Sequence, residues 1–329
     1  MKSMQENRKT YVDLFKGIGI ILMVMGHVGF GNRFDMLIHA FNMPMFFLAS
    51  GFCFKGKEKF IQFLKKKIKT LIVPYFMFSF ITYIVLRKNN NIEFTWFFKH
   101  VFWQNNVNTP IAGVWFLTAL FWANLIYFGI KKIRNTNIQW MLVVFMALLG
   151  MTIENTMSVI LPYSISSGLV GIGVMHIGKI LAEENRLYIC ANKNKESLVM
   201  IGGGIILVGS ILFNGSVNMR TAEYGNIAFW WLNAVGFSAI LFCGAIKMEH
   251  YNFRLGITYK FLCSVGKNSI CYLCLNQSVI ALTRLAIDYF TDISSLFVNT
   301  MILICALILM YILAQVIQTT KLRILVGRF

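Results

Sequence analysis

Long apolar runs separated by short polar stretches cover the chain from end to end, and they do not alternate with period two. Without that alternation a run reads as helix rather than as a half-buried strand. Helices are predicted at 14–30, 36–54, 70–86, 113–130, 138–152, 157–181, 197–213, 227–246, 261–286 and 296–318. Most of these approach the roughly 20 apolar residues that a helix needs to cross the hydrocarbon core of a bilayer. Only helices and closed barrels satisfy every backbone group in that solvent. The pattern therefore predicts an all-α integral membrane protein, a bundle of about ten transmembrane helices. No Pro-, Ser- or Gly-rich linker and no long polar block sets off a soluble domain, so residues 1–329 are expected to form a single transmembrane domain.

Composition strengthens this reading. Hydrophobic residues make up 57% of the chain and charged residues only 13%, with a mean hydropathy of +0.65. A soluble domain carries about twice that charged fraction. Charge also orients the bundle, because cytoplasmic loops are enriched in Lys and Arg. With the N-terminus inside, 23 of the 31 basic residues fall in the six cytoplasmic segments that ten helices would leave. Both termini are then cytoplasmic, and most of the net charge of +18 marks topology. A nucleic-acid partner would need that charge gathered on one soluble face, and none is expected. The N-terminal MKSMQENRKTYVD leads into a run with no small-residue cleavage site, which reads as an uncleaved first helix. Six of the seven cysteines lie in apolar spans and Cys190 in a loop, so no disulfide framework is implied. The abundance of Asn, Lys and Ile suggests an AT-rich bacterial genome and hence a bacterial plasma membrane, with the lipid bilayer as an obligatory partner.

Ionisable groups within spans are costly and mark candidate sites. KGIGIILMVMGH (16–27) begins with Lys16 and ends with His27, eleven residues and about 16 Å apart along a helix axis. His39 opens the second helix after the short connection GFGNRFD, so a hairpin can bring it near His27. A metal site is not expected, since no third ligand has suitable spacing. GVMHIGK (173–179) fits a phosphate-loop pattern but has Ile180 where Ser or Thr would hold magnesium, and no strand precedes it. Gly168, Gly171 and Gly178 read instead as small residues for close helix packing. Arg284 and Asp288 are spaced for an ion pair on one helix face. The outer aromatic residues Trp96, Phe97, Phe98, Phe102 and Trp103 read as an interfacial belt. For His100, His176 and His250 the sequence suggests no partner.

Five stretches together resemble acyltransferase family 3, membrane-bound O-acyltransferases of glycans. YVDLFKGIGIILMVMGH resembles the family's first helix, with a basic residue, ten others, then His. HAFNMPMFFLASGFCF (39–54) is similar to its second helix, and KKIKTLIVPYF (66–76) to its basic stretch before Pro-Tyr. VWFLTALFWAN (114–124) and GKNSICYLCLNQ (266–277) resemble later segments. Three positions depart from the pattern: Lys16 stands where Arg is usual, Thr70 at the second place of an Arg-x-x-Arg pair, and Asn276 where a late His is common.

The resemblance implies transfer of an acetyl group from cytoplasmic acetyl-CoA to a sugar hydroxyl of a cell-envelope polysaccharide or its lipid-linked precursor. On that reading Lys16, Lys66, Lys67 and Lys69 pair with the phosphates of the donor. His27 is general base or transient acyl acceptor, oriented by His39 or Asp13, with depth favouring His39. Trp115 forms the site wall or packs helices rather than performing chemistry. The resemblance leaves room for a separate extracytoplasmic transferase as a partner. A transporter or flippase of a lipid-linked saccharide is the alternative, its polar groups then lining a pathway.

Overall fold

The first helix, α1 (Thr10–Val28), is apolar along its length and stops where Gly29 adopts φ 86°. Gly31 follows with φ 113°, again a backbone conformation that favours glycine. These two glycines turn the chain within three residues into α2 (Asn32–Phe52). The expected hairpin therefore forms.

This computed structural model describes residues 9–90, 93–102, 113–157, 161–183, 195–250, 256–288 and 296–328. They are helical almost throughout: α3 (Phe60–Lys67), α4 (Val73–Asn90), α5 (Phe94–Phe97), α6 (Trp115–Ile130), α7 (Thr136–Met157), α8 (Ile165–Glu183), α9 (Lys195–Asn214), α10 (Ile227–His250), α11 (Ile257–Lys267), α12 (Ser269–Asp288) and α13 (Leu296–Thr319). An isolated bridge between Asn218 and Glu223 is the extent of β pairing among the described residues. By length and composition, seven helical stretches among these residues can cross a membrane: Thr10–Val28, Phe60–Ile84, Thr136–Glu154, Pro162–Glu183, Ile227–Glu249, Ser269–Ile287 and Leu296–Thr319. The remaining expected spans fall on α2, whose polar residues dilute its hydropathy, and on the shorter apolar helices Trp115–Ile130 and Gly202–Asn214. Apolar side chains such as Met141, Phe145, Phe213 and Ile308 point outward, as a bilayer environment requires.

Three expectations change in detail. The basic stretch before residue 70 is helical and continuous with the next span, joined by a π-helical turn at Ile68–Ile72. Pro74 lies just beyond, and its missing N–H and bulky ring explain why the helix widens there. The aromatic segment after residue 93 forms the short helix α5 and a π turn, Phe98–Phe102, and packs back on α4. Phe97 meets Phe80 and Tyr83, and the Tyr75 hydroxyl donates to Val101 O at 2.7 Å. The side chains of Trp96 and Phe102, and Trp103 itself, lie outside the described residues. Finally, the span expected at 261–286 is broken at Asn268 into α11 and α12.

Helices approach closely where glycine removes the side chain. A Cβ on Gly51 would lie 1.9 Å from Met175 O, and one on Gly178 only 2.2 Å from Leu48 O, so α2 and α8 cross backbone to backbone. Gly168 and Gly171 meet Ala119 O and the Phe47 ring in the same way, so these glycines pack helices and none cradles a phosphate. Gly17 and Gly266 bring α1 against α11. Among the described residues five cysteines are free, whereas Cys243 is disulfide-bonded, contrary to the expectation that no disulfide is implied.

Candidate active site

Helix α1 presents Lys9, Asp13, Lys16, Ile20, Met23 and His27 at intervals of three or four residues, which places them on one face. The antiparallel α2 presents Cys53, Ala49, Phe46, Asn42 and His39 in the same manner. Along the seam between these faces lie three cavities in succession. They share wall residues, Lys16 and Cys53 between the first two and Leu273 between the last two.

The first cavity, of about 450 Å³, occupies the basic end of the bundle. Lys9, Lys16, Lys55 and Lys179 line it, with Asp13 as the single carboxylate among its described lining residues. Asp13 is buried and pairs with Lys16 at 3.1 Å, and Lys179 pairs with Glu183 at 3.1 Å. The Lys9 ammonium lies over the Phe52 ring at 4.8 Å. Positive charge remains in excess, so this cavity suits an anion.

The second cavity, of about 210 Å³, is apolar, walled by Ile20, Phe46, Leu71, Phe116, Leu117 and Ile270. The third, also about 210 Å³, is polar again and holds His27, His39, Asn42, Asn218, Arg220 and Gln277. The His27 imidazole makes no hydrogen bond with the described residues, which leaves it open to the cavity. His39 Nδ1 lies 2.7 Å from Asp35 O. A carbonyl can only accept, so Nδ1 carries the proton, and in the neutral ring Nε2 keeps a lone pair. Gly26 lies beside this ring, where a Cβ would be in ordinary contact, 3.4 Å from Ile38 and 3.9 Å from His39 Cε1. Asn42, buried between the second and third cavities, fixes α2 to α1. With its amide turned so that both groups are paired, it donates to Gly19 O at 3.2 Å and accepts from Met23 N at 2.9 Å.

An anion-suited chamber, an apolar passage and a pair of imidazoles thus succeed one another along α1. The family model described as an acyltransferase domain matches residues 9–318, nearly the whole chain. The chain belongs to acyltransferase family 3. No curated protein and no solved structure matches it.

Within this acyltransferase, His27 and His39 share one cavity, as the hairpin predicts. Asp13 does not join them: it lies fourteen residues before His27 on the same unbroken helix, about 21 Å along the axis, and faces Lys16. Lys16 lies where the basic chamber meets the apolar passage. Lys66, Lys67 and Lys69 line none of the three cavities. Lys66 reaches Glu58 at 3.6 Å, and Lys67 lies over the Phe63 ring at 5.3 Å, within electrostatic reach of Cys53. Among the described residues no group of three His, Cys, Asp or Glu side chains forms a set of metal ligands.

Of the departures from the family pattern, Thr70 turns its hydroxyl back to Lys66 O at 2.9 Å. Asn276 is fully buried and donates to Leu273 O on its own helix at 2.6 Å, whereas its neighbour Gln277 faces the His27 cavity. Trp115 lines the same cavity, in keeping with a wall residue. Elsewhere, buried His176 finds the Tyr127 hydroxyl at 3.0 Å and the Trp140 ring at 4.4 Å. Arg284 donates to Val28 O at 2.7 Å, while the side chains of Asp288 and His250 lie outside the described residues. Sequence reasoning missed Lys9, Lys55, Lys179 and Arg220 as cavity-lining residues. Lys9 was within reach of it, being in helical register with Asp13 and Lys16.

Proposed function

We propose that this acyltransferase moves an acetyl group from cytoplasmic acetyl-CoA to a sugar hydroxyl of a cell-envelope polysaccharide or its lipid-linked precursor, in a bacterial plasma membrane with both termini inside. The observation that carries the reading is the succession of cavities along α1 from Lys9 to His27. Phosphates of the donor suit the ammonium groups of the basic chamber. From there a pantetheine arm, as long as four or five extended residues and so about 15 Å, reaches up the apolar passage. Lys16 and His27 are about 16 Å apart along the helix, so the thioester arrives beside the imidazole.

At that point His27 acts as general base. Its ring nitrogen takes the proton of the acceptor hydroxyl as the oxygen attacks the thioester carbonyl. The new C–O bond forms and the C–S bond breaks, and the imidazolium of His27 returns the proton to the departing CoA thiolate, directly or by way of His39 Nε2. The apolar passage keeps bulk water from the thioester.

The reading is tested with membranes containing the protein, supplied with acetyl-CoA labelled in the acetyl group. Label is expected in envelope glycan. Movement of a lipid-linked saccharide without incorporation of label would favour the transporter instead. Cys53 reports the donor route independently, because it is exposed and lines both the basic chamber and the apolar passage. Acetyl-CoA is expected to slow maleimide labelling of Cys53 about tenfold, as measured by peptide mass spectrometry with a Cys53→Ser control. Equal labelling of Cys53 with and without donor would show that the donor binds elsewhere.

A further inference from the structure

Seven lysines stand in residues 55–69 with Glu58 as the one acid, and the three that the family resemblance implies for the donor, Lys66, Lys67 and Lys69, line none of the three cavities. Their helix faces elsewhere. Phe63 fastens α3 to the bundle, being buried and stacked on Phe128 at 4.6 Å. The other side of α3 is bare: Phe60 is 51% exposed and Ile61 64%. Ile61, Lys65 and Ile68 follow one another at helical spacing, and all three are exposed, so apolar and cationic side chains share one face.

Two further segments adjoin this face. Beyond α13 the chain forms a 3-10 helix, Lys321–Val326, in which exposed Leu322 and Ile324 alternate with exposed Lys321 and Arg323. Gly327 then adopts φ 70° and lies so close to the π turn before α4 that a Cβ would strike Lys69 O. Between α6 and α7, Lys132 donates to Gly56 O at 3.4 Å, which sets that basic connection beside residues 55–59. The charge of this combined surface is little offset from within. Lys66 meets Glu58 at 3.6 Å, whereas Lys57, Lys59, Lys65, Lys321 and Arg323 form no ion pair with the described residues.

The surface also lies at one depth. Helix α13 ends at Thr319, and the candidate span that includes α3 carries no lysine from Thr70 to its end at Ile84, so both segments leave the hydrocarbon together. Exposed Phe and Ile at that depth need apolar cover, which acyl chains give, while lysine stems reach past them to place ammonium groups among headgroups. Topology alone would ask for the charge and not for the bare apolar face beside it. An excess of cations favours a negative headgroup over a zwitterionic one. We propose that this surface binds anionic phospholipid, its headgroups against Lys57, Lys59, Lys65, Lys321 and Arg323 and its acyl chains over Phe60, Ile61, Leu322 and Ile324. The basic stretch before Pro74 thus serves the membrane rather than the donor. This inference is independent of the acyl-transfer reading.

The test places a photoreactive residue in the surface. Full-length protein with p-benzoylphenylalanine in place of Phe60 is reconstituted in nanodiscs of equal parts phosphatidylglycerol and phosphatidylcholine, irradiated, and the crosslinked lipid identified by mass spectrometry. Phosphatidylglycerol is expected to be enriched about fivefold over its share of the bilayer, the factor that one cation near an anionic surface supplies. The same probe at Ile61 gives a second reading should the first variant fail to fold. At Ile308, exposed in the middle of α13, the probe is expected to return the bulk ratio. Lys57→Gln, Lys59→Gln and Lys65→Gln combined are expected to bring position 60 back to that ratio, as is salt at about 1 M, where charges are screened within about 3 Å. The bulk ratio at both 60 and 61 in the otherwise unchanged protein overturns the proposal. Enrichment that disappears on adding inorganic phosphate or acetyl-CoA at constant ionic strength also overturns it, since the surface would then be a site for free phosphate or for the donor.

Discussion

Replacing His27 by alanine is expected to lower acyl transfer by about 10²- to 10⁴-fold, the range that a positioned general base contributes. The imidazole makes no hydrogen bond with the described residues and already borders a cavity, so its removal leaves no described partner stranded. Folded yield should therefore match wild type. Donor binding should also persist, since the basic chamber lies about 16 Å along α1. The decisive experiment measures transfer of labelled acetyl and protection of Cys53 by acetyl-CoA in the same membranes. Transfer lost with protection retained is the expected pair. Wild-type transfer in His27→Ala would remove His27 from the chemistry, and loss of both would show that the change damaged the fold.

The second large effect is structural. Gly178→Leu is expected to prevent α2 and α8 from packing, because even the first carbon of the side chain would lie 2.2 Å from Leu48 O and 3.0 Å from Phe52 N. Both obstacles are backbone, which cannot rotate aside as a side chain can. Overpacking of this kind costs about 3 kcal/mol or more. The cost reaches the site because Gly51, in the same crossing, sits roughly 150° around α2 from the cavity-lining residues. Pushing α2 away from α8 drives its other face, with His39 and Asn42, into the seam. Gly204→Leu in α9 is the control, since a Cβ there meets nothing within 4 Å. Monodisperse protein on size exclusion is expected for Gly204→Leu and little or none for Gly178→Leu. Equal yields would show that the helices can separate at low cost.

Much of the site was legible in the chain. Lys16, His27 and His39 stand out as ionisable groups in apolar runs, and the glycines between the two histidines announce the tight turn that pairs them. The role expected of Asp13 beside the imidazoles was less secure, since helical rise alone separates them by about 21 Å. The lysines at 66, 67 and 69 read as donor ligands from their neighbourhood in sequence, yet none of them lines the cavity walls, and Lys67 comes no nearer than electrostatic reach of Cys53. Lys55, Lys179 and Arg220 were hidden for the converse reason: they come from three separate parts of the chain, and nothing local to any of them points at α1. The break at Asn268 was equally unreadable, lying inside a run that looks like one span.

The sequence by itself determined that this chain is a set of apolar helices with a few polar groups at defined heights. That follows from local physics, because a helix satisfies its own backbone bonds and its length and hydropathy are properties of one segment. Only the tertiary structure decided which faces enclose the cavities and which distant residues complete them. Those outcomes depend on contacts between segments far apart, such as Gly178 against Leu48 and Ser167 against Met219. Each contact exists only once two helices have chosen their crossing, and packing complementarity between surfaces, rather than the pattern along either one, makes that choice.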